Sequence, residues 1–236
     1  TNHHVIDNAD SVRVIFEDGR MYEAQLIGSD KLTDIGLVKI ESNNLTPIAI
    51  GNSDILLVGD LAVAIGHPLT LGAAPTVTTG IVSALERRLD VGGQDMNSSV
   101  TLFGLIQTDA PITRGSSGGA LLNQKGELIG ITTAIATADV GAEGLGFAVP
   151  INLALNISKD LVDDGKVYHS FLGILGAQHF EVAEDGARIF SGVEIQELYG
   201  PANDIYAIGK AGALPGDIIK KVNGKNIKTL DGLISF

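Results

Sequence analysis

The chain contains no cysteine, which removes disulfides, thiolate metal centres and a cysteine nucleophile together. The compartment stays open, because a disulfide-free chain suits a reducing or an oxidising space equally well. Basic residues are scarce: 16 Lys and Arg stand against 28 Asp and Glu, a formal charge of −12. A nucleic-acid backbone or an anionic membrane would be repelled by such a surface, and the densest basic pair, Arg87-Arg88, is too small to reverse that. The longest apolar run, residues 55–65, is interrupted by Gly59 and Asp60 and is too short for a bilayer span. Repeats and low-complexity stretches are absent. The opening Thr1-Asn2-His3-His4 reads as the inside of a domain rather than as a secretory leader.

What is present is a globular composition, with 44% hydrophobic and 19% charged residues. A length of 236 residues accommodates two modest domains, each with its own core. The 30 glycines suit a turn-rich β protein. Alternating apolar residues in 11–16 and 21–27, on either side of Asp18-Gly19, predict a β-hairpin. Further short strands are expected at 36–40, 61–65, 76–84, 102–108, 120–122, 128–135 and 144–148, a pattern of barrels or sandwiches. From Pro150 to about Val162 the apolar period becomes helical, and Gly165 suits a C-terminal cap. A second module begins near Tyr168. It has expected strands at 171–175, 193–198 and 217–222, a helix around 202–211, and a helix start capped by Thr229. The boundaries read as a first domain over 1–158, a linker over 159–167 and a second domain over 168–236.

Chemistry concentrates at Gly115-Ser116-Ser117-Gly118-Gly119. A serine hydroxyl attacks only when a base takes its proton, and the oxyanion that forms needs donors already aimed at it. Glycine leaves main-chain N–H groups uncovered beside the hydroxyl. A base and an orienting acid must then come from elsewhere in the chain. Of the histidines, His67 lies in a turn before Pro68, His169 and His179 lie in the second module, and His3 has an ordinary structural reading. His4 stands where a polar turn enters the apolar Val5-Ile6. A metal reading of the His3-His4 pair fails, because adjacent side chains diverge on a strand and no acid or thiol stands at ligand spacing. Asp34, within Leu32-Thr33-Asp34-Ile35-Gly36-Leu37, is an acid among apolar neighbours, where burial would demand partners.

Thr1-Asn2-His3-His4-Val5, Thr33-Asp34-Ile35-Gly36-Leu37 and Gly115-Ser116-Ser117-Gly118-Gly119 together resemble the HtrA (Deg) family of trypsin-like serine proteases. The resemblance continues through Gly51-Asn52-Ser53, Val58-Gly59-Asp60, Ala64-Ile65-Gly66-His67-Pro68, Thr78-Thr79-Gly80-Ile81-Val82-Ser83 and Ile106-Gln107-Thr108-Asp109-Ala110. It implies a mainly β fold: a chymotrypsin/trypsin-like pair of perpendicular six-stranded β-barrels, followed by an incomplete PDZ-like α+β domain. It also implies His4 as general base, Asp34 as its orienting acid and Ser117 as nucleophile. The segment Gly115, Ser116 and Ser117 would form the oxyanion hole, with the N–H groups of Gly115 and Ser117 as donors. Ile131, Thr132, Thr133 and Ala134, with the loop 136–144, would shape the pocket for the residue before the scissile bond. With no acid there, cleavage is expected after Val or Ala. In the second module Phe171, Leu172, Gly173 and Ile174 resemble a PDZ carboxylate-binding loop, which accepts a peptide C-terminus while the peptide adds a strand.

No metal or other cofactor is implied. The expected activity is ATP-independent endoproteolysis of unfolded or damaged proteins in quality control; the alternative is a peptide-binding chaperone or scaffold with a latent protease site. The implied partners are unfolded polypeptides and peptide C-termini, without nucleic acid or membrane contact by this chain, in a trimer-based homo-oligomer of the full-length protein. The implied location is extracytoplasmic. Two departures stand out: Ser116 replaces the family's usual Asn before the nucleophile, and Thr113-Arg114 replaces Asn-Pro. The family also carries further barrel strands ahead of the histidine, so the chain is expected to be part of a longer protein with a leader or anchor, and its first barrel is expected not to close.

Overall fold

A computed structural model describes residues 1–67, 74–91, 100–133, 145–199 and 207–234. They divide into two units, Thr1–Val167 and Tyr168–Phe236. The first unit opens with one helical turn, α1 (His3–Ile6), where the sequence suggests a turn running into extended chain. The cause is tertiary: the N–H groups of His3 and His4 donate to the carbonyl and the carboxylate of Asp34 at 3.0 and 3.1 Å. Strands β1 (Val12–Ile15) and β2 (Met21–Asp30) form the expected hairpin, with Gly19 at φ +83° in the turn. β3 (Ile35–Ile40) pairs with the other edge of β2. The result among the described residues is an open three-stranded sheet, and the first barrel does not close.

A second sheet closes completely. β4 (Leu61–Gly66), β5 (Thr76–Val91), β6 (Val100–Thr108), β7 (Ala120–Leu122), β8 (Leu128–Thr133) and β9 (Gly146–Pro150) form a barrel in the order β4-β5-β6-β9-β8-β7. Here the implied six-stranded barrel is present. β5 continues well beyond the expected Ala84, through register shifts that place Glu86 at φ +54°. The barrel interior holds Val82, Ile106, Leu121, Ile129 and Ala148. A second cluster joins Leu102, Leu105 and Val149 to Ile35 of β3 and to α2 (Ile151–Asp164).

Helix α2 buries Ile151, Ala154, Ile157 and Leu161, one stripe at helical spacing, and packs on β2 and β3 as well as on β8 and β9. It ends at Gly165, which adopts φ +69° and returns its N–H to the Leu161 carbonyl at 3.1 Å. Much of the expected linker 159–167 is therefore helix, held by a Leu161 that is buried in the first unit. No helix among the described residues is long and apolar enough to cross a membrane.

The second unit is built on a hairpin of β10 (Ile174–Val182) and β11 (Arg188–Leu198), extended by β12 (Ile218–Ile219). The expected strand at 171–175 starts only at Ile174, because Gly173 at φ +75° turns the chain before it. The short pair β13 (Lys221–Val222) and β14 (Lys225–Asn226) turns through Asn223-Gly224. Of the helix expected at 202–211, the described part is α3 (Ala207–Lys210); residues 200–206 lie outside the description. The last helix, α4 (Leu230–Ile234), is capped as expected, the Gly232 N–H donating to Thr229 Oγ1 at 3.0 Å. Val193, Ile227 and Leu233 form a small core.

Candidate active site

Asp34 occupies the turn between β2 and β3 at φ +57°, a left-handed conformation that few residues other than glycine adopt and that Asp tolerates better than most. Holding a residue there costs on the order of 1–3 kcal/mol, so its surroundings must over-determine it. They do. The Asp34 carbonyl accepts from the His3 N–H and from Asn2 Nδ2, both at 3.0 Å. The carboxylate accepts from the His4 N–H at 3.1 Å, from His4 Nδ1 at 2.9 Å to each oxygen, and from Thr133 Oγ1 at 3.1 Å. Asp34 is only 3% exposed, a burial that an ionised carboxyl survives only with such partners. A carboxylate can only accept, so Nδ1 is the donating nitrogen, and in the neutral imidazole this leaves the lone pair on Nε2. The His4 side chain is 37% exposed.

The segment carrying Ser117 connects β6 to β7. The Ser116 N–H donates to the Thr113 carbonyl at 2.9 Å, closing a four-residue turn with Gly115 third at φ +91°, the sign a type II turn requires there. Ser116 faces inward: a Cβ on Gly66, at the end of β4, would meet its Cα and Cβ at 2.7 Å. Within the expected oxyanion segment, Ser116 is thus the residue whose N–H closes the turn and whose side chain is buried. Ser117 is half-buried.

The end of β8 holds this loop. The Gly118 N–H donates to the Thr132 carbonyl at 2.8 Å, the Thr132 N–H to the Gly119 carbonyl at 2.9 Å, and Thr132 Oγ1 to the Ser116 carbonyl at 2.5 Å. On its far side the loop meets the chain entering α1, where a Cβ on Gly118 would run into Thr1 Oγ1 and lie 3.2 Å from the Asn2 nitrogen. The structure thus brings the loop of Ser117 against the segment of His4, and His4 against Asp34.

Among the residues expected to shape the substrate pocket, the Thr132 and Thr133 side chains are buried and bonded to the loop and to the acid, and Thr132 also lines a small cavity against the loop. Ile131 is half-buried, and Ala134 and the loop 136–144 lie outside the described residues. Sequence reasoning missed Asn2 and Ile112. Asn2 is fully buried on the Asp34 carbonyl, and its signal was its place two residues before His4 in the opening motif. Ile112 fills the space beside Gly146 of β9, with Cδ1 2.7 Å from where a Cβ would stand.

Of the other histidines, the His3 ring meets Ser29 Oγ through Nδ1 at 2.9 Å, His179 lies 3.8 Å from the Glu194 carboxylate, and His67 and His169 are exposed. In the second unit Phe171 and Leu172 are exposed, while Gly173 is buried and its carbonyl accepts the Tyr199 N–H at 2.6 Å. Ile174 then begins β10, which is an edge strand among the described residues.

A His–Asp pair beside a glycine-lined serine loop, on a closed six-stranded barrel, is the arrangement of a trypsin-like serine peptidase. Residues 1–131 match the family description "Trypsin-like peptidase domain". The chain belongs to this class and, within it, to the HtrA-type proteases. It is 44% identical over 241 residues to the periplasmic pH-dependent serine endoprotease DegQ of Escherichia coli K12, covering 100% of this chain and 50% of that protein. With the periplasmic serine endoprotease DegP of the same organism it shares 42% identity over 239 residues, 99% of this chain and 47% of the relative. The chain thus spans about half the length of these relatives. A solved structure of the HtrA-type protease AlgW with a tripeptide superposes with a TM-score of 0.74 at 35% identity, covering 99% of this chain and 74% of that one.

Proposed function

We propose that the protein is an ATP-independent serine endopeptidase acting on unfolded or damaged polypeptides outside the cytoplasm. The observation carrying this reading is the buried Asp34 carboxylate, which bonds His4 Nδ1 at 2.9 Å while the loop of Ser117 lies against the residues leading into His4. In this reading His4 Nε2 takes the Ser117 hydroxyl proton as Oγ attacks the scissile carbonyl carbon. The N–H groups of Gly115 and Ser117 receive the oxyanion. His4 then passes its proton to the leaving amine, and water, deprotonated in turn by His4, releases the acyl group and restores Ser117. The periplasmic naming of DegQ and DegP supports the location. In the full-length protein, Ser117→Ala is expected to lower casein hydrolysis by roughly 10⁴- to 10⁶-fold without lowering Tm. Hydrolysis that persists in this variant rejects the assignment, and aggregation suppression by a parent that cleaves nothing would favour a chaperone.

Ile112, beside Gly146, supports a short apolar floor for the specificity pocket and hence cleavage after Val or Ala. A peptide-library digest dominated by cleavage after Lys or Arg would refute that preference. The second unit is proposed as a PDZ domain, in which a peptide C-terminus meets the 171–173 segment and its chain adds to the β10 edge.

A further inference from the structure

We propose that Thr132 is a positioning residue for the oxyanion site, acting through the Ser116–Ser117 peptide. The inference rests on the reading of Ser117 as nucleophile and of its N–H as an oxyanion donor. A trans peptide is planar, with its C=O and N–H directed oppositely. Whatever holds the Ser116 carbonyl therefore aims the Ser117 N–H. Two donors hold it: Thr132 Oγ1 at 2.5 Å and the Gly119 N–H at 3.0 Å. Hydrogen bonds accepted by a carbonyl also polarise the amide and make its N–H a stronger donor.

The rest of Thr132 serves the same loop. Its carbonyl accepts the Gly118 N–H and its own N–H donates to Gly119, so one fully buried residue grips the chain on both sides of Ser117. Packing alone does not supply this hold. A cavity of about 90 Å³ lies against the loop, lined in part by Gly66, Thr78, Thr113, Ser116 and Thr132. With Ser116 in place of a larger residue, space remains beside the peptide, and the direction of its carbonyl falls to hydrogen bonds. The neighbouring Thr133 donates to Asp34. Successive side chains of a strand point to opposite faces, so the end of β8 sends one hydroxyl to the oxyanion peptide and the next to the acid.

The test compares Thr132→Val, which keeps the shape and removes the hydroxyl, with Thr132→Ser, which restores it, in the full-length protein. The probes are a chromogenic peptide substrate and the matching peptide aldehyde, whose hemiacetal oxygen occupies the oxyanion site. Thr132→Val is expected to lower kcat about 10- to 100-fold, somewhat less than removal of an oxyanion donor outright, with KM nearly unchanged and aldehyde affinity weakened in proportion. Thr132→Ser is expected to recover most of both. If Thr132→Val does not fold, Thr132→Ala carries the same comparison with Thr132→Ser. Parent-like kcat and aldehyde affinity per titrated active site, in the folded variant lacking the hydroxyl, overturns the proposal even if Tm falls. Hydrolysis surviving Ser117→Ala would instead overturn the reading of the site on which it rests.

Discussion

The acid–base half of the site and its nucleophile half are held by different means. His4 belongs to α1 and Asp34 to a turn of a sheet whose Ile15, Met21 and Leu26 are all at least half exposed, as is Leu32 in that turn. The Ser117 loop is anchored to a closed barrel in which Val82, Leu121, Ile129 and Ala148 are wholly excluded from solvent. Where apolar packing is thin, Asp34 is kept in an unfavourable φ by hydrogen bonds from Asn2, His3, His4 and Thr133. On the closed barrel, the end of β8 holds the Ser117 loop through the hydrogen bonds of Thr132. Hydrogen bonds, rather than the buried Ile35 beside it, therefore set the direction of the acid, and damage to them should cost catalysis before it costs stability. Damage to the packed side should do the reverse.

The largest effect is expected from Asp34→Asn, which preserves shape but leaves an amide that can present a donor to His4 Nδ1 and so disfavour the useful tautomer. By analogy with triads of this geometry, kcat should fall about 10⁴-fold in steady-state peptide hydrolysis. Denaturant unfolding should show a much smaller loss than a core deletion, and a variant that fails to fold would break the contrast between the two halves. Next comes Leu161→Ala. Leu161 packs its Cδ2 2.9 Å from where a Cβ on Gly28 would stand, and it joins the barrel-side cluster to β2. Removing it should cost about 2–5 kcal/mol in urea unfolding, with kcat per folded molecule nearly unchanged. Loss of kcat without loss of stability would place the catalytic geometry under the control of α2 instead.

Much of this arrangement was legible from local pattern. The alternation around Asp18-Gly19 gave the first hairpin, and the helical apolar stripe ending at Gly165 gave α2. The glycines around Ser117 marked the loop because they must accept positive φ at 115 and 118. Features fixed by distant contacts were not legible. Val5-Ile6 favours extended chain, yet the turn of α1 forms because Asp34, far along the sequence, accepts its N–H groups. The charged stretch Glu86-Arg87-Arg88 gave no strand signal, but β6 pairs with it through bulges that absorb the mismatch. The bonds of Thr132 to the loop and of Thr133 to the acid were likewise not legible, because the sequence does not reveal which strand face turns toward the loop and which toward the acid.

Thr133 gives the finest test, since it is the barrel residue whose hydroxyl reaches the carboxylate of the opposite half. Thr133→Val keeps the branched shape and the burial while deleting one donor. A hydrogen bond to a charged group contributes about 1.5–3 kcal/mol, so kcat/KM for a short peptide should fall roughly 10- to 100-fold if the bond mainly orients Asp34 toward His4. Thr133→Ser should restore most of the rate, because it returns the donor without the methyl. If the bond instead serves chiefly to fasten the open sheet to the barrel, Thr133→Val will lower the unfolding midpoint while leaving kcat per folded molecule intact. The His4–Asp34 half would then depend on the barrel for its attachment and on its own backbone, through the N–H groups of His3 and His4, for its catalytic geometry.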